Sequence, residues 1–229
     1  MSKGASKRAS DGGSHPAAAV RRDALGIGVA VGAYGLSFGA LATTAGLSVL
    51  QTCALSLLMF TGASQFALVG VLGAGGSAVA GVLSALLLGT RNTLYAVRLG
   101  DLLTIPGPRR LLAAHVTIDE TTAMATAAPA GLERTAFWAT GTAIYLLWNL
   151  GTLLGAAGAA RLGNPAALGL DAAVPAAFLA LLAPRLRERE GLRVAVAGAL
   201  LAAAAVPFVR PGLPVLVAGL AVLPLLVRG

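Results

Sequence analysis

Phe60-Thr61-Gly62-Ala63-Ser64-Gln65-Phe66 opens a stretch that closes on Arg91-Asn92-Thr93-Leu94-Tyr95, with apolar residues and a Gly73-Ala74-Gly75-Gly76-Ser77 turn between them. A carboxamide, hydroxyls, a guanidinium and a phenol therefore sit inside hydrophobic runs long enough to span a bilayer. In hydrocarbon an unpaired polar group costs several kcal/mol, so groups of this kind need partners or a ligand. The stretch decides the reading of everything around it.

The whole chain agrees with a lipid setting. Of its 229 residues 57% are hydrophobic and only 11% charged, with a mean hydropathy of +0.82, whereas soluble domains carry about 25% charged residues. This reads as an all-α, polytopic integral membrane protein of seven or eight transmembrane helices. Residues 1–23, polar and rich in Ser, Gly, Lys and Arg, are expected to be a disordered basic cytoplasmic tail, and 24–229 a single transmembrane domain. The net charge of +8 comes from short basic clusters between apolar runs, which mark membrane topology and contact with the lipid bilayer and leave no nucleic-acid face. The lone Cys53 allows neither an intrachain disulfide nor a paired-cysteine metal site, and no cofactor is expected.

Apolar runs place spans at about 24–45, 49–72, 78–97, 135–160, 167–183, 194–209 and 213–227. The segment 111–128 is either a short polar span or a re-entrant element. Gly28, Gly32, Gly35 and Gly39 form a small-residue stripe on the first helix that suits close packing. Gly62-Ala63-Ser64 interrupts the second run, and Pro106-Gly107-Pro108 breaks the loop from Arg98 to Arg110. With eight crossings and a cytoplasmic amino terminus, most Lys and Arg fall inside, but Arg98, Arg109 and Arg110 fall outside and break the positive-inside pattern. If 111–128 does not cross, the later loops invert. Residues 57–68 and 168–181 share a small or proline residue ahead of a Phe-containing run. An internal repeat with broken helices, as in many carriers, and chance similarity of Ala-rich helices both account for it.

Three constellations carry candidate chemistry. An unwound helix at Gly62-Ala63-Ser64-Gln65 would present N–H donors to an anionic group such as a carboxylate. Alternatively, Ser64 bonds back within its helix while Gln65 bridges to a neighbour. Arg91, Tyr95 and Arg98 share a helix face beside Asn92, either lining a site or snorkelling to the interface. His115, Asp119 and Thr122 share another face with Glu120 adjacent, which suits a proton relay or a wet interfacial helix. Asp171, four residues before Pro175, reads as a helix cap.

GASQF at 62–66, Arg91-Asn92-x-x-Tyr95, Asp119-Glu120-Thr121 and Leu170-Asp171-x-x-x-Pro175 together resemble the AzlC family of branched-chain amino acid permeases, over nearly all of 24–227. The resemblance implies no enzyme but the large subunit of a two-component exporter of branched-chain amino acids, with methionine a further candidate, in the bacterial inner membrane. It further implies a small hydrophobic AzlD-like subunit as partner and drive by the proton gradient. On that reading Gly62, Ser64, Gln65, Phe66, Arg91, Asn92 and Tyr95 line the substrate path, and His115, Asp119 and Glu120 handle protons. Two other readings compete. Gly62-Ala63-Ser64 with a downstream His115 mimics a rhomboid-like intramembrane serine protease, although Gln65 stands where such enzymes place glycine. The glycine stripes also suit a non-transporting scaffold.

Overall fold

The computed structural model describes residues 15–161, 185–210 and 212–226, with 179, 182 and 183. The described residues are helical, with no strand among them. Asp171, Pro175 and most of 168–181 lie outside the described residues. Seven helices carry the first two thirds: α1 (His15–Thr44), α2 (Val49–Leu58), α3 (Ala63–Gly73), α4 (Ala78–Leu103), α5 (Arg109–His115), α6 (Asp119–Ala127) and α7 (Glu133–Arg161). After them come α8 (Arg189–Ala205), α9 (Leu213–Gly219) and α10 (Leu223–Leu226). Contacts sort the chain into two units, one drawn from Met1–Ala33 and Asn92–Trp148 and the other from Tyr34–Arg91 and Asn149–Gly229.

Two expected boundaries move. The helix of α1 begins at His15, inside the segment expected to be a disordered tail; Ala17-Ala18-Ala19 and Arg21-Arg22 are strong helix formers and extend it by two turns. The third span runs on to Leu103, because Arg134 caps its end: Nε donates to the Leu103 carbonyl at 2.6 Å and Nη2 to that of Thr104 at 2.7 Å. A cation on the last carbonyls favours the negative pole of the helix.

In the second unit, α2 and α3 form a hairpin. Phe38 meets Phe66 edge-on with ring centroids 5.6 Å apart, and seven residues further along both helices a Cβ added at Gly73 would meet Ala45 Cβ at 3.4 Å. The helix α3 thus runs parallel to α1 and ends beside its end. The start of α2 follows that same end within a few residues, through a turn at Gly46 and a capping box in which Ser48 and Gln51 each hold the other's N–H. Each arm, at 10 and 11 residues, is about 15–16 Å long, half of a hydrocarbon core of about 30 Å. The run 49–72, expected to be one interrupted span, is therefore two short helices folded back on each other. The start of α4 then passes antiparallel to α3, with Gly81 against Leu68 and Gly89 against Ser64.

The first unit repeats the plan. The start of α7 lies at the end of α4 through Arg134, while His115 at the end of α5 reaches Tyr145, and Val116 lies against Gly141. The helix α5 therefore runs some 12–18 Å along α7, and α6 returns, with Ala125 packed on Leu99, Leu103 and Phe137, so 111–128 folds as a helical hairpin. Twice, then, a long helix is followed by two short ones joined at a turn.

The glycine stripe of α1 does what close packing requires. Within the first unit Gly28 and Gly32 meet Ala143 and Leu147 of α7, and within the second Gly39 lies on the backbone of Thr152 and Ala156, with Gly155 on the Leu36 carbonyl. Side chains there would force the helices apart. Among the described helices α1, from Pro16, and α7 are long and apolar enough to cross a membrane by length and composition. Polarity is distributed accordingly: Thr52, Ser56, Gln65, Thr121 and Thr140 are wholly buried, whereas Leu50, Leu58, Leu94 and Leu111 are at least 71% exposed. Leucine outside and hydroxyl inside is the reverse of a water-soluble fold.

Candidate functional site

The turn of the first hairpin is Met59-Phe60-Thr61-Gly62. Gly62 adopts φ 55°, ψ −88°, a conformation in which a side chain would be strained, and it ends one helix so that the next can start. Gln65 fastens that turn. Its Oε1 accepts the Gly62 N–H and its Nε2 donates to the Leu55 carbonyl, both at 3.2 Å, tying α3 to α2. Gln65 is fully buried and so acts here as the bridge to a neighbouring helix. Phe66, also buried, is engaged edge-on with Phe38.

Phe66 N–H makes the first bond of the new helix, to the Gly62 carbonyl at 3.1 Å. The N–H groups of Ala63, Ser64 and Gln65 precede it and have no carbonyl within the helix to reach. Ser64, 2% exposed, carries an Oγ with no hydrogen-bond partner among the described residues, which costs about 1–3 kcal/mol in the absence of a ligand. Across from it, a Cβ at Gly89 of α4 would stand 3.6 Å from that Oγ. Thr61 Oγ1 and Thr52 Oγ1 are likewise buried without a partner, while Ser56 Oγ donates to Thr152 Oγ1 at 3.1 Å. The sequence reading missed this lining of hydroxyls, because Ser and Thr inside an apolar helix usually bond back to their own backbone. Arg91, Asn92 and Tyr95 follow along α4, each half-buried.

The turn of the second hairpin is Val116-Thr117-Ile118. Thr121 holds it as Gln65 holds the first: its Oγ1 accepts the Ile118 N–H at 2.9 Å and also bonds the Val116 carbonyl at 2.8 Å. Thr117 Oγ1 closes α5 on the Ala113 carbonyl at 2.7 Å. Asp119 and Glu120, both half-buried, occupy the first turn of α6, where the positive helix end favours carboxylates. His115 stacks edge-on to Tyr145 at 5.6 Å. This arrangement groups an imidazole, a phenol and two carboxyls around one turn. Among the described residues no cluster of His, Cys, Asp and Glu could hold a metal.

A model of the AzlC protein family matches residues 26–162. The chain belongs to the AzlC family. The match covers both hairpins and the three long helices around them, and it makes this chain a membrane protein of a transport-related family. No curated protein matches the AzlC chain, and no solved structure does.

Proposed function

We propose that this AzlC protein is the large subunit of a two-component exporter of branched-chain amino acids, with methionine as a further substrate, coupled to the proton gradient and working with a small hydrophobic AzlD-like subunit in the bacterial inner membrane. The observation that carries the reading is the start of α3, where three N–H groups and the Ser64 hydroxyl, unpartnered among the described residues, stand together at the turn of the hairpin beside Gly89. They suit the carboxylate of an amino acid, as broken helix ends do in other carriers. Gly62 and Gln65 hold that end in place. Phe60 and Phe66 wall the apolar side, and Arg91, Asn92 and Tyr95 continue the path along α4. Asp119, Glu120 and His115 carry the protons.

The hairpins also support a sidedness. With α2–α3 and α5–α6 both re-entrant, α1, α4 and α7 cross in alternate directions. A cytoplasmic amino terminus then puts Arg21, Arg22, Arg98, Arg109, Arg110 and Arg134 inside and leaves only Arg161 outside up to the end of α7. The three arginines that broke the positive-inside pattern now obey it.

The test is efflux of preloaded isoleucine from cells expressing the chain with its small partner. Ser64→Ala should slow efflux about tenfold by removing a hydrogen bond to a charged group, at normal protein level, and a protonophore should abolish coupling. Unchanged efflux in Ser64→Ala rejects the carboxylate site. A serine-directed probe that labels wild type but not Ser64→Ala would move the reading to hydrolysis.

A further inference from the structure

The end of α4, the loop after it, α5 with Thr117 of the turn that follows, and the start of α7 line a cavity of about 290 Å³ within the first unit. Leu99, Leu103, Ala113 and Phe137, which pack as one apolar cluster, form much of its wall. Among the described residues Arg110 is the single charged one lining it, and no carboxylate does. Its Nε donates to the Ile105 carbonyl at 2.8 Å, which fixes the guanidinium and leaves the two terminal nitrogens to other acceptors. Among the described residues the lining offers the ammonium of a zwitterionic amino acid no negative charge. An apolar chain with an anionic head matches the wall and the guanidinium together.

The position favours a lipid over a soluble anion. Beyond Arg109 and Arg110, Leu111 and Leu112 are 77% and 62% exposed, so α5 passes from headgroup-type to acyl-type side chains within four residues. On the sidedness proposed above, this corner faces the cytoplasmic leaflet, which is rich in anionic lipid. We propose that the cavity takes an acyl chain of an anionic phospholipid of that leaflet, with its phosphate on Arg110, as a resident lipid wedged between α4, α5 and α7 at the base of the second hairpin.

Trp138 packs against the same cluster and reports on it. Full-length protein carrying Trp148→Phe is reconstituted into vesicles containing phosphatidylglycerol or phosphatidylcholine with brominated acyl chains, at equal mole fraction. Brominated phosphatidylglycerol should quench Trp138 about twofold more than brominated phosphatidylcholine, a headgroup preference set by charge. Arg110→Lys should keep the preference and Arg110→Gln should lose it. Gly100→Leu should lose it too, because Gly100 lines the cavity and a Cβ there meets nothing within 4 Å. If Trp148→Phe does not fold, the same difference is read in protein with both tryptophans. Equal quenching by the two lipids, a preference that survives both Arg110→Gln and Gly100→Leu, or displacement of the brominated lipid by millimolar isoleucine overturns the proposal. Brominated phosphatidylglycerol confined to one leaflet separates the two readings: a preference seen only from the outer leaflet keeps a lipid at this cavity but overturns its assignment to the cytoplasmic leaflet and the sidedness with it.

Discussion

The two hairpins share a plan and differ in charge. In α2–α3 the new helix begins with Ala63, Ser64 and Gln65, none of them acidic, so the positive end of α3 is not neutralised by its own first turn. In α5–α6 it begins with Asp119 and Glu120, which occupy that end themselves. The hydroxyls divide in the same way. Ser64 Oγ has no hydrogen-bond partner among the described residues, whereas Thr121 Oγ1 is spent on the turn. One helix end is open to an anion from elsewhere, and the other already carries acids that can exchange protons. Similar backbones thus serve different chemistry through three or four side chains.

Substitution at the turn residue itself should break the comparison most severely. Gly62→Val places a β-branched side chain at φ 55° and should lower stability by about 2–3 kcal/mol and abolish efflux. At the corresponding place in the other hairpin, Ile118 is extended at φ −133°, so Ile118→Val should cost only about 0.5–1.5 kcal/mol. Thermal unfolding in detergent, with the efflux assay, reads both. A comparable loss at the two positions would remove the distinction.

The hydroxyl pair sharpens it next. Thr121→Ala should cost about 1–2 kcal/mol, since it takes the partner from the Ile118 N–H. Ser64→Ala should raise stability by about 1–3 kcal/mol, because it removes a buried hydroxyl that has no hydrogen-bond partner among the described residues, while slowing isoleucine efflux. The reverse pattern would make Ser64 the structural hydroxyl. Asp119→Asn should preserve folding and the affinity for isoleucine but remove the dependence of efflux on the proton gradient, measured in vesicles with an imposed pH difference; intact coupling would take Asp119 out of the proton path.

A small effect is expected where the first unit holds strain. Thr104, at φ 44°, is a β-branched residue in the left-handed region, with its carbonyl bound by Arg134. Thr104→Gly should raise stability by about 1 kcal/mol. A loss of stability would mean that the threonine side chain contributes more than its backbone costs.

Much of this was legible before any coordinate. The apolar runs, the break at Gly62 and the acids at 119–120 can be read directly, and GASQF with Arg91-Asn92-x-x-Tyr95 pointed to the AzlC family that the match over 26–162 shows. The return of α3 was not legible. The mainly apolar run of 24 residues from 49 to 72 is long enough to cross, and hydropathy has no term for direction. Only the pairings of Phe38 with Phe66 and Ala45 with Gly73 reveal it. The one clue in the sequence was electrostatic: three arginines between 98 and 110 stood on the wrong side of an eight-span reading. The bridging role of Gln65 was one of two sequence readings, decided by its bond to the Leu55 carbonyl 10 residues away, whereas that of Arg134 was hidden, since it bonds a backbone carbonyl 31 residues away.

Paired re-entrant hairpins are the claim on which the rest stands, and labelling from the two faces of the membrane tests it directly. In a Cys53→Ala background, single cysteines are introduced at Thr44→Cys and Ala74→Cys, flanking α2–α3, and at Arg109→Cys and Ala130→Cys, flanking α5–α6. All four positions are exposed. An impermeant maleimide applied to intact cells should label both members of the first pair, and should reach both members of the second only after permeabilisation. Labelling of Thr44→Cys and Ala74→Cys from opposite faces would show that 49–72 crosses the membrane once, and would contradict the account.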